Sequence, residues 1–229
     1  PKFIAYAGRQ HVIVKFTSED DNPVSRRWRD LLLTEHHALE TLRLAGVSAP
    51  RTKLLDLEGR RFLEIERFDR VGARGRRALH SLAALDAEFV GNARAPWPEI
   101  VERLVRDGVA NEEALAHAQL LYAFGTLIGN TDMHNGNLSF MSEHGRPYSV
   151  APAYDMLPMA LSPNSSGKLP DWIPPRTLSA SVEPPAWRQA TTLATIFIDR
   201  VGADNRFSEE FSGCITALRR HLADLLVQV

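Results

Sequence analysis

Cysteine is nearly absent: Cys214 stands alone in 229 residues, so no disulfide can form within the chain and a reducing, cytoplasmic setting is expected. Long apolar runs are missing too. No stretch approaches the roughly 20 residues that a membrane helix requires, and no membrane association is expected. Charge of one sign is not in excess, the formal net charge being −1, which argues against a chain-wide nucleic-acid footprint because counterion release needs clustered lysine and arginine. The basic clusters Arg26-Arg27-Arg29 and Arg74-Arg76-Arg77 read as solvated faces. There are no internal repeats, and no glycine-rich phosphate loop lies within the chain; Gly72-Ala73-Arg74-Gly75 reads as an exposed basic turn. What remains, 44% hydrophobic and 24% charged residues, is the composition of an ordinary globular protein.

Two short polar segments carry the chemistry. Gly129-Asn130-Thr131-Asp132-Met133-His134-Asn135-Gly136-Asn137 follows an apolar helix-like run from Ala116 to Ile128 and precedes a short strand at Leu138-Ser139-Phe140. Ala153-Tyr154-Asp155 comes next. Phosphoryl transfer needs one group to orient the acceptor hydroxyl and others to hold the metal that neutralises the phosphates. Asp132 suits the first role. Asn137 and Asp155 offer the oxygens that a hard cation prefers, and their order is that of a kinase catalytic loop followed by its metal-binding Asp. Asn, Asp and Gly are also ordinary turn residues, so the loop gains weight only from being mounted between two apolar elements.

A kinase also needs a lysine for the phosphates and a carboxylate to hold that lysine. His11–Phe16 alternates as a strand, with Val12, Val14 and Phe16 on one face and Ile13 and Lys15 on the other, so Lys15 is expected to project opposite the packed face. Ser25–Ala45 is helical by period, with Trp28, Leu31, Leu32, Leu39 and Leu42 as its apolar stripe. Glu35 lies within that stripe and needs a cation if it is buried. Lys15 is the natural partner; Arg29 and Arg43 are the local alternatives. Arg60–Arg70 reads as a strand with a charged tail, a candidate hinge in which backbone groups of Glu66 to Phe68 would pair with an adenine edge and Asp69 would reach a ribose.

Lys15 in Val-Ile-Val-Lys-Phe, Glu35 in Glu-His-His-Ala-Leu-Glu, the stretch Glu66–Arg70, the loop Gly129–Phe140 and Pro152–Leu157 together resemble the HipA-like serine/threonine kinases of bacterial toxin–antitoxin systems. The stretch Leu82–Gly91 is most similar to the YjjJ-type branch of that family. The resemblance implies an α+β, bilobal, protein-kinase-like fold, with a β-rich N-lobe carrying one helix at residues 1–69 and a mainly helical C-lobe at 70–229. It implies ATP and Mg²⁺ as cofactors and a protein hydroxyl as acceptor. Asp132 becomes the base, Asn137 and Asp155 the metal ligands, and Lys15, paired with Glu35, the phosphate contact. Glu66 and Phe68 become the adenine hinge with Asp69 beside them, and His134 orients the loop at the nucleotide side. Pro1-Lys2-Phe3 is similar to the end of the family's Gly-x-Gln-Pro-Lys segment, so the phosphate-covering loop, and any antitoxin-binding or DNA-binding region, is expected outside this chain.

Two other readings use the same residues. A metal-dependent phosphohydrolase would employ Asp132, His134 and Asp155 around a transition metal, leaving Lys15 and Glu35 without a task. A kinase-shaped module that only binds a partner is the other. Helices are expected at Trp97–Arg106, Asn111–Ile128, Ala186–Val201 and Ser208–Val227, with Pro158–Pro185 as a long surface loop where a kinase carries its activation and docking segment.

Overall fold

The computed structural model describes residues 1–227. Two hairpins build its first sheet. β1 (Lys2–Ala7) and β2 (Gln10–Phe16) are joined at Gly8-Arg9, and β3 (Thr52–Leu57) and β4 (Arg60–Glu66) at Glu58-Gly59. All four turn residues have positive φ, between 49° and 73°, the backbone that a two-residue hairpin turn with the twist of its strands demands. The antiparallel order is β1-β2-β4-β3.

Between the hairpins runs α1 (Pro23–Leu44). Asn22 caps it by accepting the Ser25 N–H at 2.9 Å, and Pro23 occupies the first turn, where no N–H is needed. Its Leu32 packs with Leu63 and Ile65 of β4 in a small cluster. The sheet register pairs Lys15 with Leu63 and Ile13 with Ile65, and directly paired residues share a face. Lys15 therefore projects from the helix-covered face rather than from the face opposite the packing. Trp28, expected in the apolar stripe, is 36% exposed and forms part of a cleft wall.

The chain then passes through β5 (Arg70–Val71) and β6 (Gly75–Arg76), a minimal hairpin, into β7 (Ala78–Ser81) and α2 (Leu82–Phe89). α3 (Trp97–Arg106) and α4 (Glu113–Leu127) follow, then β8 (Ser139–Ser142) and β9 (Ser149–Val150), which complete a second sheet of order β7-β8-β9. α5 (Pro184–Ala203) and α6 (Ser212–Leu226) close the helical body. α4 is its axis: Leu121, Phe124, Leu127 and Ile128 are fully buried, and Phe124 meets Phe197 of α5 edge-on at 6.2 Å. The expected range 70–229 ends in two positions, 228 and 229, that lie outside the described residues.

Residues 158–183 contain one turn of 3-10 helix at Met159–Leu161 and otherwise no regular structure. The segment is not wholly at the surface, as Leu161 and Val182 are buried. Arg27 holds it to α1, donating to the carbonyls of Leu161 at 2.7 Å and Pro170 at 2.6 Å. At 6% exposure, with its guanidinium over the Phe211 ring, Arg27 departs from the solvated face expected for its cluster, because its fixed fork of donors meets carbonyls that no helix or strand has satisfied.

Candidate active site

β2, α1 and the segment after β9 bring three charges together. The Lys15 ammonium donates to both carboxylate oxygens of Glu35, at 2.6 and 2.8 Å, and to the Asp155 carboxylate. Glu35 is wholly buried between Leu31 and Leu39, which are themselves 0% exposed. The alternative partners are engaged elsewhere, Arg29 with the Asp20 carbonyl and Arg43 with Glu40. Burial works against the charge on Lys15, but Glu35 and then Asp155 outweigh it and hold the pKa well above the ordinary lysine value. Lys15 is thus a fixed cation and not a proton acceptor. Burial pushes the Glu35 carboxyl upward, with Lys15 pulling against it.

The loop after α4 is held by different means. Gly129, at φ +74°, turns the chain where an added Cβ would lie 2.8 Å from Ile173. Asn130, 3% exposed, accepts the Asp132 N–H at 3.0 Å and donates to the Asp155 carbonyl at 3.2 Å. One carboxamide thereby sets the spacing between the two acidic segments. Asp155 itself sits at φ +53°, a region that Asp tolerates better than most residues. The Asn137 side chain donates to the Asp132 carbonyl at 2.7 Å and lies 3.4 Å from its carboxylate. Among the described residues the Asn137 amide oxygen accepts no hydrogen bond. His134 Nδ1 accepts the Gly136 N–H at 3.0 Å, so its Nε2 carries the proton and faces Asp132 Oδ1 at 3.9 Å. Tyr154 donates to the Gly136 carbonyl at 2.9 Å and meets the Ser139 hydroxyl at 2.6 Å, which anchors the loop beside Asp155.

Lys15, Glu35, Asp132 and Asp155 line one cleft of about 570 Å³, with Trp28 and Lys2 on its walls. Asn137 and His134 adjoin it through Asp132. Glu66 and Phe68 line a different cavity, of about 440 Å³, among Arg51, Arg67 and Arg70. Within the expected hinge, the Glu66 and Arg67 N–H groups already donate to the carbonyls of Arg51 and His11, at 3.0 and 2.9 Å. Asp69 is gripped by the Arg67 fork at 2.8 and 2.5 Å, and those hydrogen bonds hold its pKa below the ordinary value. Its carboxylate is turned to Arg67. The link from this region to the cleft is the Phe68 ring, 6.2 Å from that of Tyr154, the neighbour of Asp155.

Asn137 and Asp155 present one carboxamide and one carboxylate, hard oxygen donors that suit magnesium. Among the described residues no three His, Cys, Asp or Glu side chains converge as a metal-binding group, so Asp132, His134 and Asp155 do not form the ligand set that the hydrolase reading requires. Asn130 was missed by residue type alone. Its signal is an Asn two positions before Asp132, the spacing at which Asn accepts a backbone N–H in a turn.

Comparison with known proteins follows this geometry. The family model of the HipA-like C-terminal domain matches residues 1–221. Toxin YjjJ of Escherichia coli strain K12 is 42% identical over 217 residues, which are 92% of this chain and 48% of that protein, so the chain spans about half the length of this relative. The Helicobacter pylori proinflammatory kinase CtkA superposes with a TM-score of 0.66 at 14% identity, over 99% of this chain and 92% of its own. HipA of Shewanella oneidensis MR-1, solved with HipB and operator DNA, superposes at 0.52 and 16% identity, over 100% of this chain and 57% of its own. These two likenesses establish the kinase-like, two-lobed α+β fold.

Proposed function

The chain belongs to the HipA-like C-terminal domain family, and from that premise we propose that it is the catalytic part of a toxin kinase that uses ATP and Mg²⁺ to phosphorylate a serine or threonine of a protein. The observation that carries this reading is the single ammonium of Lys15 bound at once to Glu35 of α1 and to Asp155. A phosphate-contacting lysine needs a carboxylate behind it and a metal-holding carboxylate beside it.

Magnesium-ATP, when bound, supplies the transferable phosphoryl group. Lys15, kept charged and aimed by Glu35, contacts its phosphates. Asp155 and the free Asn137 oxygen hold the metal. Asp132, whose side chain is 52% exposed, accepts the proton of the acceptor hydroxyl and orients that oxygen. His134 and Asn137 keep Asp132 in place from either side. Asn130 fixes the distance between base and metal ligand. The Glu66 carbonyl and Phe68 N–H serve as the adenine hinge, and Asp69 reaches a ribose by leaving Arg67. We place the boundary between lobes after Asp69. The antitoxin or DNA-binding partner is expected to engage regions outside this chain, a reading supported by the HipA–HipB–DNA assembly.

The test is incubation of the full-length protein with ATP labelled on the terminal phosphate, alone and with cell extract, with and without magnesium. Magnesium-dependent label on serine or threonine is expected, with ATP bound more tightly than GTP. Magnesium-ATP binding without any transfer would mark a binding module instead.

A further inference from the structure

Asp86, on α2, is 2% exposed, yet no Lys, Arg or His pairs with it among the described residues. One of its carboxylate oxygens accepts the Asn92 N–H at 2.9 Å. The other makes no hydrogen bond within the described chain, and it is not sealed off. Asp86 borders a cavity of about 450 Å³ lined by Ala83, Ala87 and Gly91 and by His134, Asn135 and Gly136 of the catalytic loop. A carboxylate so deeply buried is costly without a cation.

The cavity shares a wall with the loop that carries Asp132. α2 is fastened to that loop, since Ala83 donates to the Asn135 carbonyl at 2.8 Å and Leu82 to the Leu138 carbonyl at 2.7 Å. Asp86 therefore stands at a fixed position relative to the acceptor site. Ala83, Ala87 and Gly91 leave room for an alkyl stem, and Asp86 offers a carboxylate oxygen that no described residue engages.

We propose that this cavity is a specificity pocket, taking an arginine or lysine side chain of the protein substrate near the acceptor hydroxyl, with Asp86 as its counter-ion. The proposal rests on the kinase reading. The electrostatics favour a cation over a neutral donor, because a charge-assisted hydrogen bond to a buried carboxylate is worth more than a neutral one. Nothing else lining the cavity carries a full positive charge while His134 is neutral, as the hydrogen bond it accepts at Nδ1 requires.

The experiment is a serine-centred peptide array, with Arg or Ala at each of the five flanking positions on either side, probed with full-length protein for binding and separately for transfer from labelled ATP. Asp86→Asn keeps the acceptor for Asn92 and removes the charge; Ala87→Leu fills the cavity from its open side and leaves Asp86 intact. The unmodified protein should bind Arg over Ala at one fixed position by about tenfold or more. Both variants should lose that preference while binding the Ala peptides as before. Equal binding of Arg and Ala peptides, no binding of any peptide, or a preference that survives both variants overturns the proposal. Arg-selective binding without transfer would instead count against the kinase reading and leave the pocket standing.

Discussion

The triangle of Lys15, Glu35 and Asp155 and the loop from Asn130 to Asn137 face the same cleft, yet different forces hold them. The triangle is built on charge: Glu35 is buried without exposure, and its burial is tolerable only because Lys15 is there. The loop is built on hydrogen bonds to backbone, with the Asp132 side chain left half in solvent. Charge in a buried site couples stability to function, whereas an exposed acid on a fixed loop can be changed without disturbing the fold. The helical body is anchored by the large core around α4, while the sheet relies on the small cluster of Leu32, Leu63 and Ile65. The triangle ties the two together.

The contrast is sharpest at Asp132. Asp132→Asn should reduce phosphotransfer by about 10²- to 10⁴-fold, the range for a lost general base, while the unfolding free energy stays within about 0.5 kcal/mol. Magnesium-ATP affinity should be retained. A clear drop in urea midpoint would erase the distinction between loop and triangle. Glu35→Gln tests the other side, leaving Lys15 buried with one carboxylate, and should cost about 3–5 kcal/mol of stability together with nucleotide affinity. The double change Lys15→Met with Glu35→Leu should recover most of that stability and none of the affinity. If Glu35→Gln unfolds at the unmodified urea concentration, the charges are not structural.

Asn130 belongs to both regions. Asn130→Ala removes two hydrogen bonds in a buried place and should cost about 1–3 kcal/mol, with transfer falling more than nucleotide binding if Asp132 is the base and Asp155 the metal ligand proposed above, because Asn130 sets the spacing between them. Binding and transfer lost in equal measure would argue against that role. The smallest effect is expected far from the cleft. The hydrogen bonds of Arg206, opposed by burial and aided by His37, hold the Asp204 carboxyl below its ordinary 3.8. A depressed carboxyl pKa stabilises the fold above that value and loses its contribution as the pH falls through the folded one. Asp204→Asn should therefore lower stability at neutral pH by about 1 kcal/mol, and the gap should close below about pH 4. A gap constant with pH would show that the charge is not its source.

Much of this was legible in the chain because it follows from period and local chemistry. The leucine spacing of α1 announced that Glu35 would be buried and would need a cation, and alternation along β2 put Lys15 and Ile13 together. The face of Lys15 differs from the expectation because Val12 and Val14 are also buried, so hydrophobicity alone does not say which side the helix covers; the register with Leu63 and Ile65 decides it. Of the second sheet only β8 shows in the sequence, as the short strand expected at Leu138-Ser139-Phe140; β7 and β8 are four residues each and pair across a long separation that local pattern does not reveal. α2, only eight residues long, is capped by the Ser81 hydroxyl just before it, and its sequence reads as a motif rather than as a helical period. Trp28 was counted with the core because tryptophan fits the stripe, although the cleft leaves it open. Asn130 and Asp86 lie inside the quoted motifs, but their particular roles depend on what tertiary packing brings to them.

If the kinase reading holds, this cleft binds magnesium-ATP through Asp155 beside Lys15. Calorimetric titration of ATP, with and without magnesium, into the unmodified protein and into a folded Asp155→Asn variant tests it most directly. Magnesium should strengthen ATP binding to the unmodified protein by about tenfold or more, and the variant should lose most of that increment. An equal magnesium increment in both proteins, or none in either, would contradict it.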